Sequence, residues 1–109
     1  MASSDKVCII SGAAKQGIGE AITRRLCRDG FRVIGSVEAE DAENANALSA
    51  ELDSASFHRT RHADLESLRS FVDSIDVDRI AGLVNAEMFF NMEVPGAFDH
   101  ATWQTSINI

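Results

Sequence analysis

The sequence predicts an α/β fold in which helices pack against one parallel sheet of four strands. Short apolar runs alternate with segments whose apolar residues recur at helical spacing. The first of these runs has no polar side, and a glycine-rich loop joins it to the first helical segment. Strands that alternate with helices in this way pair in parallel through right-handed crossovers.

Composition narrows the class of protein. The chain has 109 residues, of which 45% are hydrophobic and 25% charged, as expected of one soluble domain. A net charge of −7 argues against a nucleic-acid partner. No apolar run reaches the ~20 residues of a membrane span, and the start lacks the layout of a secretory signal, so we expect a cytoplasmic protein without a membrane partner. Cys8 and Cys27 lie in apolar segments and are interpreted as reduced packing residues.

The first half of the chain predicts two strands around one helix. Residues 6–11 form a compact apolar run, typical of a strand that is covered on both faces. The next segment ends at Gly30, and residues 31–37 form the second strand. The apolar stripe of the helix between them comprises Ile18, Ala21, Ile22 and Leu26.

The second half predicts two further helix–strand units. Residues 41–52 place Ala45, Leu48 and Leu52 on one helical stripe, and residues 56–63 are polar enough for a strand near a sheet edge. A second amphipathic helix follows, and residues 80–84 form the fourth strand. Beyond them we expect a loop and then a helix from Asp99. The apolar stripe of the second amphipathic helix comprises Leu65, Leu68, Val72 and Ile75.

The glycine-rich loop, residues 11–19, lies between the first strand and the first helix. Glycines let the backbone turn sharply and approach a pyrophosphate, whose charge is attracted by the free N–H groups of the following helix. An ordinary strand-to-helix turn is the alternative, but this position favours a phosphate site. Its candidate binding residues are Gly12, Lys15, Gln16, Gly17, Ile18 and Gly19.

Two nucleotide classes are candidates for such a loop. Gly12 and Gly17 have the spacing of the P-loop glycines, but a P-loop requires Lys and then Ser or Thr next. Ile18 and Gly19 follow instead, and Lys15 lies inside the loop. A phosphate-binding regulatory domain is therefore the weaker alternative to a dinucleotide site.

Four motifs, in order along the chain, resemble those of the short-chain dehydrogenase/reductase family. Residues 11–19 resemble its T-G-x-x-x-G-I-G loop, and residues 63–65 (Ala-Asp-Leu) resemble its Asp-Val/Leu after the third strand. Residues 83–86 (Leu-Val-Asn-Ala) resemble its L-V-N-N-A-G segment, and residues 107–109 (Ile-Asn-Ile) its V-N-L segment. The resemblance covers almost the whole chain.

This resemblance implies a Rossmann-like sheet of strand order 3-2-1-4, incomplete at one edge. Residues 1–109 would be the N-terminal half of a dinucleotide-binding domain. In that family Asp64 and Leu65 would contact adenine, Asn85 and Ala86 would contact the nicotinamide ribose, and Asn108 would support a proton relay. From the residues alone, Asp64 is equally well explained as the N-cap of the helix that starts at Leu65.

Acidic residues after the second strand bear on the choice of coenzyme. A carboxylate about 20 residues after the glycine loop binds the ribose hydroxyls of NAD and repels the 2′-phosphate of NADP. Glu38 lies near that interval, although Val37 can occupy the diagnostic position and Glu38 can be simply a charge at a strand end. Lys15 favours NADP, because a basic residue in the loop can hold its phosphate. We expect NAD, with NADP as the alternative.

The sequence also departs from the family pattern. The loop has one extra residue between Gly12 and Gly17, and Glu87 replaces a small glycine beside the cofactor. The segment before Asn108 is about two residues short, which would rotate this side chain by roughly 200° on a helix. The family's proton donor is a tyrosine, and this sequence contains none. We therefore expect this chain alone to be inactive.

No other catalytic group replaces that tyrosine in the sequence. His58, His62 and His100 are not grouped with a nucleophile, and no Cys/His spacing predicts a metal site. We interpret these histidines as surface or strand-edge residues.

The leading hypothesis is the cofactor-binding portion of an NAD(P)-dependent oxidoreductase. A completed enzyme would transfer hydride between nicotinamide and a small carbonyl or alcohol substrate. The alternative is a non-catalytic dinucleotide-binding module or a degenerate paralogue. Because the strand at residues 80–84 would expose unpaired backbone and apolar side chains, we also expect self-association.

Overall fold

The computed structural model describes residues 6–87, which contain a four-stranded parallel sheet of order β3-β2-β1-β4. This confirms the α/β class and the predicted strand order. The expected helix from Asp99, His100 and the candidate relay residue Asn108 lie outside the described residues. The strands are β1 (Val7–Ser11), β2 (Arg32–Val37), β3 (Ala55–Arg59) and β4 (Gly82–Asn85).

β1 is an inner strand of the sheet and is buried on both faces, as predicted. Ile9 lies opposite Ile34 of β2 and Leu83 of β4, and Ser11 ends the strand opposite Ser36 and Asn85. Because parallel strands have their carboxyl ends on the same side, the segments that follow all four strands meet along one edge. We call it the carboxyl edge of the sheet.

Three helices cover the two faces of this sheet: α1 (Ile18–Arg28), α2 (Ala42–Glu51) and α3 (Leu65–Ser74). α1 and α2 pack on the face that carries Ile10 and Val33, and α3 packs on the face of Ile9 and Ile34. A short 3₁₀ turn, Ala39–Asp41, leads into α2. The predicted stripe of α2 is confirmed, since Ala45 and Leu48 are buried with Leu52 packed beside them.

The predicted apolar stripes of α1 and α3 need correction. In α3, Leu65 and Val72 are exposed, whereas Phe71 is buried. Phe71 packs with Ile75 beneath the sheet. The sequence carries two overlapping stripes of helical period, and the one that buries the large aromatic ring removes more apolar area from water.

The stripe of α1 is shifted in a similar way. Ile18 is exposed, while Gly19 and Thr23 are the buried residues of the helix. Ile22 and Leu26 pack against the sheet as predicted. Ile18 therefore lies at the open start of the helix rather than in the core.

Strand ends also differ from prediction. The third strand was expected over residues 56–63 but ends at Arg59, although the N–H of Thr60 still donates to the Val37 carbonyl at 2.8 Å. β3 forms one edge of the sheet, which confirms its predicted position. Among the described residues β4 forms the other edge, and its Leu83 is 69% exposed.

The two thiols, of Cys8 and Cys27, are free.

An arginine links two helices on the outer surface. Arg24, on the outer face of α1, donates to Glu20 at 2.9 Å within the same helix. Its guanidinium also makes a bidentate contact with Glu51, at the end of α2. Arg24 therefore joins the middle of α1 to the last residue of α2.

Candidate functional site

The glycine-rich loop crosses the carboxyl edge of the sheet and folds tightly against the end of β4. Gly12 has a φ of 72°, and its N–H donates to the Ser36 carbonyl at 2.9 Å. A Cβ on Gly12 would lie 2.7 Å from the Cα atom of Glu87. A Cβ on Gly19 would overlap the carbonyl oxygen of Gly12. Both contacts are with backbone, so glycine is required at these two positions.

The loop leads into the N-terminus of α1, which has no side-chain cap among the described residues. Gly17 occupies the N-cap position with a φ of 102° and has no side chain to cap the helix, and the Glu20 N–H donates to the Lys15 carbonyl at 2.9 Å. A Cβ on Gly17 would meet no described atom within 4 Å, so the space beside this residue is open. An uncapped helix start beside open space can bind an external anion.

Lys15, inside the loop, is surrounded by carboxylates. Its Nζ atom lies 3.2 Å from Asp41, 3.3 Å from Glu40 and 3.6 Å from Glu87. Burial alone would lower the pKa of Lys15, but these three carboxylates raise it above its ordinary value. Lys15 therefore stays charged at neutral pH, and its charge is already compensated by the protein.

The buried His62 and the partly exposed Glu38 form a polar pair at the carboxyl edge. Glu38 Oε2 accepts from the backbone N–H and from Nδ1 of His62, both at 2.8 Å. The Nε2 atom of His62 lies 2.5 Å from Ser36 Oγ. With a side chain that is 3% exposed, His62 contradicts our interpretation of a surface or strand-edge residue. The reason is topological, because β2 and β3 are neighbours and their carboxyl ends adjoin.

Glu87 extends this network. Its side chain is 3% exposed, with Oε1 3.5 Å from His62 Nδ1 and Oε2 3.6 Å from Lys15 Nζ. Glu38, His62 and Glu87 each place one ligand atom within 4.8 Å of the others. We did not predict this grouping from Cys/His spacing. Each of these residues follows a different strand, and all of these strands end at the same edge of the sheet. Their positions after the strands were therefore the sequence signal that could have identified the group.

The remaining predicted residues lie along the same edge. Asp64 caps α3, since its Oδ1 accepts from the Glu66 N–H at 3.2 Å, and this confirms the N-cap interpretation. Asn85 Oδ1 accepts from Ser11 Oγ at 3.2 Å, and the Ala86 N–H donates to the Ser11 carbonyl at 2.9 Å. Gln16, Ile18 and Leu65 are exposed side chains.

Within residues 6–87 no helix is both long and apolar enough to cross a bilayer.

Comparison with known proteins identifies the family. The model of the family described as short chain dehydrogenase matches residues 6–109. The chain is similar to serine dehydrogenase from Escherichia coli, with 25% identity and a TM-score of 0.76 over 94% of this chain and 47% of that one. It also shares its fold with a protein assigned as a 3-oxoacyl-reductase from Bacillus thuringiensis, with 17% identity and a TM-score of 0.72 over 94% of this chain and 45% of that one.

No curated protein matches the chain in sequence. The chain spans about half the length of the two structures it resembles. The family match extends over nearly all of its residues and agrees with the strand order and with the glycine loop at the carboxyl edge. The chain therefore belongs to the short-chain dehydrogenase family.

Proposed function

We propose that this chain is the portion of a short-chain dehydrogenase that binds a nicotinamide dinucleotide. In the completed enzyme, hydride would pass between the bound coenzyme and a small carbonyl or alcohol. The observation that supports this proposal is the N-terminus of α1, whose N-cap Gly17 provides no side-chain cap and has open space beside it. Such a helix start attracts the two linked phosphates of a dinucleotide through its N–H groups and its dipole.

The loop residues fit a pyrophosphate. Gly17 leaves room for a phosphate to approach the backbone, and the close packing of Gly12 and Gly19 holds the helix start in place. Gln16 and Ile18 flank Gly17 and would contribute through the loop backbone. Because Lys15 is held by its own carboxylates, we assign it to shaping the loop rather than to binding the phosphates.

The other end of the coenzyme would lie along the carboxyl edge. Both hydrogen bonds from His62 to the Glu38 side chain end on Oε2, so Oε1 is the oxygen we assign to a ribose hydroxyl. Asp64 and Leu65 would border the adenine, and Asn85 and Ala86 would contact the nicotinamide ribose. Asn108 would support the proton relay.

Charge favours NAD over NADP. Lys15 is the loop cation that would hold a 2′-phosphate, but Glu40, Asp41 and Glu87 already compensate its charge. Glu38 adds a further carboxylate at this edge. A 2′-phosphate brought here would therefore meet net negative charge, and we propose NAD as the preferred coenzyme.

A second candidate is a non-catalytic dinucleotide-binding module. One observation favours it: Glu87 stands where the family has glycine. For both candidates we also propose a cytoplasmic location. We propose as well that the protein self-associates through the edge of β4, which is exposed among the described residues.

Calorimetric titration of the protein with NADH, NADPH and Mg·ATP tests the proposal. We expect NADH to bind, NADPH to bind more weakly, and Mg·ATP to show no binding. Binding of Mg·ATP without binding of NADH would instead support a phosphate-binding regulatory domain. The sequence encoded after Ile109 separates the two candidates, because a Tyr-x-x-x-Lys pair there would favour the enzyme and its absence would favour the non-catalytic module.

A further inference from the structure

We propose that Glu38, His62 and Glu87 form a binding site for a divalent transition-metal ion at the carboxyl edge of the sheet. One ligand atom of each residue lies within 4.8 Å of the others, and His62 Nδ1 is the atom that faces both carboxylates, at Glu38 Oε2 and Glu87 Oε1. They come from three segments, after β2, before α3 and after β4. The proposal rests on these side chains alone and does not require a bound dinucleotide.

The distances are close to those of a coordination sphere. His62 Nδ1 is 2.8 Å from Glu38 Oε2 and 3.5 Å from Glu87 Oε1. Ligands bound to one ion at about 2.0–2.2 Å are themselves roughly 3 Å apart. Binding of one ion would therefore require the carboxylates of Glu38 and Glu87 to close around it from within 4.8 Å of each other.

The imidazole ring is already oriented for this role. Ser36 Oγ lies 2.5 Å from Nε2, and the Ser36 side chain is buried in the sheet. This contact directs Nδ1 toward both carboxylates. Metal-binding histidines commonly use the second ring nitrogen for a hydrogen bond that fixes the ring, and Ser36 supplies that partner here.

Electrostatics at this edge favour a dication. The Nδ1 proton of His62 can make one good hydrogen bond, yet it faces the carboxylates of Glu38 and Glu87. Lys15 compensates Glu87 through the other oxygen, Oε2, and also pairs with Glu40 and Asp41. Within residues 6–87, three carboxylates lie near Lys15 and two lie near His62; the Glu87 and His62 side chains are buried, whereas that of Glu40 is exposed. A dication bound at Nδ1, with the ring proton carried on Nε2 and donated to Ser36 Oγ, adds positive charge among these carboxylates.

The ligand set selects the class of ion. One imidazole nitrogen and two carboxylate oxygens suit Zn²⁺, Co²⁺ or Mn²⁺. Mg²⁺ and Ca²⁺ prefer oxygen ligands alone. Three protein ligands leave at least one position on the ion for water or an added ligand.

Cobalt titration of the metal-free protein is the test. Binding of one Co²⁺ ion is expected to produce the visible absorption bands of a site with nitrogen and oxygen ligands. We expect His62→Gln and Glu87→Gln each to weaken binding at least tenfold. His58→Gln is the matched control, because His58 lies on the edge strand β3 outside the cluster and should bind Co²⁺ like the wild type.

A second measurement needs no variant. Zn²⁺ should raise the thermal midpoint of the wild-type protein, and an equal concentration of Mg²⁺ should not, because an ion that binds only the folded state stabilises it. A wild-type protein that shows neither the cobalt bands nor the zinc shift overturns the proposal. The three side chains would then form only a network of ion pairs and hydrogen bonds. Binding that is unchanged in a folded His62→Gln protein overturns it as well. Neither result bears on NADH binding, which is measured separately.

Discussion

Replacement of Gly12 by alanine tests how tightly the glycine loop is closed against β4. Gly12 has a φ of 72°, and an added Cβ would lie 2.7 Å from the Glu87 Cα and N atoms and 2.9 Å from the Ala86 carbonyl carbon. A left-handed conformation costs an L-residue about 1–2 kcal/mol. Overpacking against backbone that cannot rotate away adds about 1–3 kcal/mol. We expect the free energy of unfolding to fall by about 2–5 kcal/mol.

Urea denaturation followed by far-ultraviolet circular dichroism measures this loss. Gly30→Ala is the matched control, because Gly30 has a φ of 93° and a Cβ there would meet no atom within 4 Å. It should lose only the conformational part, about 1–2 kcal/mol. The difference between the variants, about 1–3 kcal/mol, reports the contact with β4. Equal unfolding free energies for the two variants would refute the proposed packing.

Three further predictions concern packing, pH and assembly. Thr23→Val removes the buried hydroxyl that donates to the Ala13 carbonyl at 2.8 Å, so the free energy of unfolding in urea should fall by about 1–2 kcal/mol, and an unchanged value would contradict this role. The Arg24 guanidinium lowers the pKa of Glu51, so the stability from this pair is present above about pH 4 and is lost as the pH falls through the lowered pKa. Thermal unfolding should therefore show a smaller loss from pH 6 to pH 3 in Arg24→Gln than in the wild type, and an equal loss would argue against the pair. Leu83→Lys should convert assembled protein to monomer in sedimentation experiments, and a wild-type protein that is monomeric at every concentration would contradict self-association through β4.

The fold was predictable because local pattern and global topology agree. The apolar run of β1 has no polar face, and such a strand needs neighbours and helices on both sides. What the pattern did not decide was the rotation of α3. Two sets of residues fit helical spacing: one contains Leu65, Leu68 and Val72, and the other contains Leu68 and Phe71. Only packing beneath Ile9 and Ile34 selects the face with Phe71.

The candidate site was predictable only where its residues are close in sequence. The glycine loop and the cap at Asp64 are local features, and both follow from spacing. The network of Glu38, His62 and Glu87 joins residues that are distant in the chain. It arises from the alignment of strand ends, which sequence spacing does not display, and its geometry also depends on side-chain torsions that no motif specifies.

The central claim is that the N-terminus of α1 binds the pyrophosphate of a dinucleotide. The most direct measurement is the dissociation constant of NADH for Gly17→Asp compared with Gly30→Asp. Both substitutions add one carboxylate at a glycine of positive φ with open space around it, but Gly30 follows the opposite end of the helix. The account predicts that Gly17→Asp weakens NADH binding about 100-fold, or about 2.7 kcal/mol, while Gly30→Asp binds like the wild type. Equal affinities in the two variants, or a wild-type protein that does not bind NADH, would contradict it.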